Sequence, residues 1–173
     1  LAGRYLLQSL FPDFPYELIK IADTKKPYLE DEAYHFSISH CGNLAAALVS
    51  TTDRVGVDVE EATPRIERVL KKFLHPEELN WLNHQRSDNS LQSFTNGDNQ
   101  QYILPTLLWS AKESVFKWYG SGQVDFSDHI RLDPFILMEK GKIPGTFTKG
   151  GLRAFELDYK FFGTNCLSWV IGN

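Results

Sequence analysis

Between Ala33 and Glu60 the chain strings together short segments that all suit β-strands, and this stretch limits the fold more than any other. Tyr34, Phe36 and Ile38 alternate with His35, Ser37 and Ser39, the period that sends successive side chains to opposite faces of a sheet. His40 to Asn43, with Gly42, reads as a turn, and LAAALVS (44–50) as a short buried strand. Thr51 to Arg54 turns again, and VGVDVE (55–60) resumes the alternation. Helical patterns flank this block. Residues 1–10 carry Leu6, Leu7 and Leu10 at helical spacing, ended by the prolines of the 11–15 segment. Residues 64–73 predict a basic amphipathic helix with Thr63 as N-cap and Pro64 at its first position. Further helices are predicted over 76–84 and 107–119, the latter stopped by Gly120 and Gly122. Residues 19–22, 130–132, 135–139, 146–148, 152–158 and 166–171 read as strands, and the polar run 85–101 as a surface loop. The mixture is α+β.

Composition narrows the function classes. With 173 residues the chain suffices for one domain or two small lobes sharing a core, and 42% hydrophobic against 23% charged residues predicts a folded protein. A net charge of −4 argues against a general nucleic-acid binder while leaving room for a local basic patch. Cys41 and Cys166 make neither a disulfide scaffold nor a Cys/His metal spacing, so a reducing, cytoplasmic setting is expected. No apolar run reaches the roughly 18 residues a membrane span needs, and no signal-peptide pattern opens the chain. The first residue is Leu1 rather than Met, so a trimmed N-terminus is expected, with substrate-binding residues upstream.

Several side-chain groups carry candidate chemistry. Asp58 and Glu60, two apart on a strand, leave the same face. Two carboxylates side by side repel unless a cation lies between them, and oxygen-only ligands suit a hard cation such as Mg²⁺. The competing reading is a solvated acidic edge. Glu113 and Lys117, at i and i+4, share one side of a helix whose aromatic neighbours Trp109, Phe116, Trp118 and Tyr119 suggest a cleft. Glu113 suits a third metal ligand and Lys117 a phosphate contact or base; an ordinary surface ion pair is the alternative. Ser39 and His40 end a strand and can reach a phosphate, or form a turn without a partner. Lys25 and Lys26 before Pro27 can hold a phosphate or be solvated loop charges. Arg65, Arg68, Lys71 and Lys72 make either a solvated face or a docking patch for an acidic partner. P-loop, GxSxG and HExxH motifs do not occur, and the GSG at 120–122 is too short for a dinucleotide fingerprint.

In order and spacing, FSISHCGNLAAALVS, VGVDVE and WSAKESVFK together resemble the 4'-phosphopantetheinyl transferase superfamily. Because LAGRYLL, KKPY and FSISH precede the acidic strand, the resemblance is to the Sfp/AcpT-like group rather than to the small trimeric holo-acyl-carrier-protein synthases. It covers most of residues 1–122 and fades after 125. It implies two similar α+β lobes related by pseudo-twofold symmetry, 1–54 as a truncated N-terminal lobe and 55–173 as the lobe carrying the metal site, together one functional unit. The implied reaction moves the 4'-phosphopantetheine arm of coenzyme A onto a serine of an apo acyl or peptidyl carrier protein, releasing 3',5'-ADP. Asp58, Glu60 and Glu113 would ligate Mg²⁺, with Mn²⁺ as the alternative. Glu113 and Lys117 would be catalytic. Lys25, Lys26, Ser39, His40 and Lys117 would bind coenzyme A, and Glu78 of FLHPEE falls on a glutamate that is structural or near the site. Arg65, Arg68, Lys71 and Lys72 would face the acidic carrier. The resemblance implies a monomer, and leaves open whether the carrier serves fatty acid, polyketide, nonribosomal peptide or lysine synthesis. A non-catalytic relative that binds coenzyme A or carrier, and an unrelated metal-dependent phosphohydrolase, are the rival readings.

Overall fold

The computed structural model describes residues 2–23, 25–87 and 99–172. The short strands of the 33–61 block form where the alternation places them. β1 (Lys20–Ile21) pairs antiparallel with β2 (Pro27–Tyr28). β3 (His35–Cys41) and β4 (Leu44–Ser50) make a hairpin closed at the Cys41–Leu44 pair around Gly42 and Asn43, a two-residue turn suited to strand twist. β5 (Arg54–Glu61) then leaves its sequence neighbours. It pairs with β9 (Asn165–Gly172) at the edge of an antiparallel five-stranded sheet in the order β5-β9-β8-β7-β6, completed by β6 (Ile130–Leu132), β7 (Lys140–Phe147) and β8 (Arg153–Phe162). The hairpin still reaches β5 through a side chain, since the Val57 N–H donates to Ser37 Oγ at 3.0 Å.

Five helices accompany the sheets among the described residues: α1 (Ala2–Leu10), α2 (Leu70–Phe73), α3 (Pro76–Ser87), α4 (Ile103–Tyr119) and α5 (Phe126–His129). α4 organises the molecule by packing on both β5 and β9. Leu104, Leu107, Leu108, Ala111, Val115 and Trp118 are buried along it, and a helix apolar on most sides belongs inside a core. It begins ahead of the predicted 107 because Pro105 falls in its first turn, where a missing N–H costs nothing. Around α4 lies the large core; Leu7, Phe14, Leu29 and Phe36 form a separate small one near the N-terminus. No helix of the described residues is long and apolar enough to cross a membrane.

Three expectations shift. The predicted helix over 64–73 is a 3-10 turn (Pro64–Arg68) followed by the single turn of α2, broken at Val69 (φ −116°, ψ −4°), and Thr63 makes no side-chain cap. Ile66, Leu70 and Phe73 still face the core, so the apolar spacing holds although the helix does not run through. The predicted strand 135–139 lies outside the sheet. Its backbone is fixed by the Tyr159 hydroxyl, which accepts from Met138 N–H at 3.0 Å, and Phe135 packs on Trp81 and Tyr159. The 85–101 loop expectation falls largely on residues outside the described ones; 85–87 belong to α3 and 100–102 to a 3-10 turn.

Candidate active site

Strand parity on β5 sets the site. Gly56, Asp58 and Glu60 face α4, and Gly56 decides how close the helix comes. A Cβ there would lie 1.9 Å from the Ser114 carbonyl oxygen and 2.6 Å from the Trp118 nitrogen, so any larger residue pushes the helix off the strand. The contact face of α4 is correspondingly small and polar. Ser114 Oγ donates to the Ser168 carbonyl at 2.9 Å, and Ser110 and Ser168 share a 2.9 Å bond between their hydroxyls. Hydroxyls that satisfy one another let the backbones approach without burying an unpaired polar group.

This approach carries Lys117 onto the strand. Its ammonium donates to Asp58 Oδ1 at 2.6 Å and to Ser39 Oγ at 3.0 Å, while Ser39 Oγ donates to the same carboxylate oxygen at 2.8 Å. Asp58 is only 3% exposed, which removes the solvated-edge reading for this residue. Its second oxygen, Oδ2, is buried with no hydrogen-bond partner. A buried carboxylate oxygen left unpaired costs free energy and calls for an explanation. Beside it, Trp109 Nε1 donates to Glu60 Oε1 at 3.3 Å. Burial first, and then the neighbouring Asp58 charge, pushes the Glu60 carboxyl up. Glu113 follows the same logic further: burial, Asp58 and Glu60 outweigh the pull of Lys117 and raise it to about 7.

The acidic trio named from sequence is thus brought together, but not as a finished ligand set. Among the described residues no group of His, Cys, Asp or Glu side chains is already arranged to hold a metal ion. Lys117 supplies the counter-charge at Asp58 Oδ1 instead. The donors nevertheless fit a hard divalent cation: they are all carboxylate oxygens, the Asp58 charge raises the carboxyls of Glu60 and Glu113, and one oxygen is an orphan.

The other candidates separate. On β3, Ser39 joins Asp58, whereas His40 is exposed and points into another cleft, since neighbours on a strand diverge. That cleft, about 490 Å³, is lined by Arg4, Lys25, His40 and Asn43. A second cleft of about 260 Å³ joins Lys25 and Lys26 to Glu113, Phe116 and Lys117. Within this cleft the Lys26 ammonium donates to the Lys117 carbonyl at the end of α4. Arg65, Arg68, Lys71 and Lys72 are all exposed and make no ion pair among the described residues. Glu78 is structural: buried, it accepts from Leu132 N–H at 2.8 Å, His75 N–H at 2.7 Å and Lys112 at 2.6 Å.

Sequence reasoning missed Gly56, Ser37 and Lys112, and gave Trp109 only as an aromatic neighbour of the cleft, without its bond to Glu60. Glycine within a strand pattern is a mark of close backbone approach, so Gly56 was findable. Lys112 was not, because nothing local shows that its ammonium is fully buried among the Phe73, Phe126 and Ile130 carbonyls and Glu78.

With the geometry in place, comparison with known proteins identifies its class. Residues 54–158 match the family model described as the 4'-phosphopantetheinyl transferase superfamily, and the chain belongs to that superfamily. The match continues well past residue 125, where the motif resemblance fades. The chain is similar to the 4'-phosphopantetheinyl transferase gsp of Aneurinibacillus migulanus, 28% identical over 70% of this chain and 46% of the relative. It is also similar to enterobactin synthase component D of Escherichia coli K12, 31% identical over 68% of this chain and 52% of the relative. The chain spans about half the length of the curated relatives it matches.

Proposed function

We propose that this chain belongs to the Sfp/AcpT-like group and moves the 4'-phosphopantetheine arm of coenzyme A to the serine of an apo carrier protein, releasing 3',5'-ADP. The observation that carries the reading is Asp58: buried, bonded to Ser39 and Lys117 through one oxygen, left with an orphan second oxygen, and close enough for its charge to raise the carboxyls of Glu60 and Glu113. The names of the similar proteins support the same reaction class.

Asp58, Glu60 and Glu113 would hold Mg²⁺ or Mn²⁺, which would supply charge neutralisation for the departing 3',5'-ADP. The rest of the chemistry is assigned to side chains. The carrier serine oxygen forms a bond to the β-phosphorus of coenzyme A, and the bond from that phosphorus to 3',5'-ADP breaks. Glu113 takes the serine proton, directly or through a water. The Lys117 ammonium, its direction fixed by Ser39 and Asp58, would meet phosphate oxygens as they gain negative charge. Arg4, Lys25 and His40 bring basic groups to the adjacent cleft, suited to the remaining phosphates. Arg65, Arg68, Lys71 and Lys72 offer the carrier a cationic face. The hairpin β3–β4 and the sheet edge β5 contribute to one site, which supports treating 1–54 and 55–173 as one functional unit.

Incubation of apo carrier with coenzyme A, Mg²⁺ and this chain should add the mass of one phosphopantetheine arm. Glu113→Gln should keep the fold and lose nearly all transfer; wild-type labelling by that variant would sink the assignment. Release of phosphate without carrier would favour a phosphohydrolase, and coenzyme A binding without labelling a non-catalytic relative.

A further inference from the structure

The two lysines of the 25–27 turn have different fates. Lys25 takes a left-handed backbone conformation (φ 64°), uncommon for a residue with a Cβ, and this sends the two neighbouring side chains apart. Lys25 is exposed and lines both clefts described above. Lys26 turns inward. Its ammonium donates to the Lys117 carbonyl, one of the terminal α4 carbonyls that have no partner within the helix. Gly120 closes the far side: at φ 76° it ends α4, its N–H donates to Phe116 O at 3.0 Å, and a Cβ there would come within 2.9 Å of Lys26 Nζ. Lys26 makes no ion pair among the described residues, so this carbonyl is the anchor of a half-buried cation. A cation at a helix C-terminus is favourable both for the hydrogen bond and for the helix dipole. The residue whose carbonyl is held is the one whose side chain reaches Asp58 and Ser39.

We propose that Lys26 is a positioning residue: its ammonium fixes the last turn of α4 and thereby aims Lys117 at Asp58 and Ser39, leaving Lys25 as the ligand-facing member of the pair. The kinetic part of this inference rests on the transfer reading above; the structural part does not.

The test compares Lys26→Met, Lys25→Met and Gly120→Ala in the full chain. Lys26→Met should lower kcat for carrier labelling by about tenfold, the scale of one lost charge-assisted hydrogen bond, with KM and calorimetric Kd for coenzyme A within about twofold of wild type. Lys25→Met should do the reverse, raising Kd for coenzyme A with little change in kcat. Gly120→Ala, which strains the left-handed cap as well as crowding the ammonium, should lower kcat at least as much as Lys26→Met. Hydrogen exchange at the Gly120 amide should quicken in Lys26→Met, a readout that survives even where wild-type transfer is absent and the functional reading has failed. A raised Kd for coenzyme A with unchanged kcat in Lys26→Met would overturn the proposal and make Lys26 a phosphate ligand. Unchanged exchange at the Gly120 amide in Lys26→Met would overturn it as well.

Discussion

α4 carries two buried lysine–carboxylate pairs five residues apart, and they differ in completeness. Lys112 is fully buried, and its ammonium meets Glu78 at 2.6 Å and three backbone carbonyls at 2.7–2.9 Å. Both Glu78 oxygens are used, by Leu132, His75 and Lys112. Lys117 and Asp58 are equally close, at 2.6 Å, but the lysine is 23% exposed and Asp58 Oδ2 has no partner. A closed network resists change because every group removed strands another. An open one leaves charge and lone pairs for something else to use. Burial alone thus fails to separate structure from chemistry; the count of satisfied atoms does.

Breaking the closed pair should have the largest effect. Lys112→Met strands Glu78 and three carbonyls and should cost about 3–5 kcal/mol in urea denaturation, enough to unfold much of the chain at 37 °C. A loss below about 1 kcal/mol would show that water replaces the ammonium there.

The open pair sharpens next. Because the Glu113 carboxyl titrates near 7 when folded against 4.5 as its ordinary value, the folded state binds the extra proton between those values. Its contribution to stability is therefore greatest below about pH 4.5 and is lost as pH rises through 7. Glu113→Gln should raise the metal-free Tm at pH 8 by a few degrees, at about 2–4 °C per kcal/mol, and leave it unchanged at pH 4. Mn²⁺ should then stabilise wild type more than the variant, by mass action on the folded state. Equal shifts with and without Glu113 would remove it from the cation site.

The smallest effect concerns the surface. Reversing charge at Arg68 and Lys71 should raise carrier KM several-fold and flatten its salt dependence, with kcat unchanged, since exposed charges act on encounter more than on the bound step. An unaltered KM would return the patch to plain solvated surface.

Most of the site was legible because its elements announce their periods. The two-residue alternation of FSIS and VGVDVE placed Ser39, Asp58 and Glu60, and the apolar stripe of α4 placed Glu113 and Lys117 on the opening side. The contact of Lys26 with the end of α4 was not legible, because a lysine before proline looks alike whether it meets a ligand or a helix end. The 64–73 segment was misread as one helix because its apolar spacing, Ile66 to Leu70 to Phe73, survives a break at Val69.

Local order, side-chain chemistry and the faces of β5 and α4 were fixed by the chain's own text, because strand and helix periods depend only on backbone geometry. The pairing of β5 with β9 rather than with the adjacent hairpin, the depth of α4 against Gly56, and the inward turn of Lys26 were decided only by the fold. Each depends on groups distant in sequence competing for the same buried space and the same unpaired polar atoms, and a contest of that kind has no local trace.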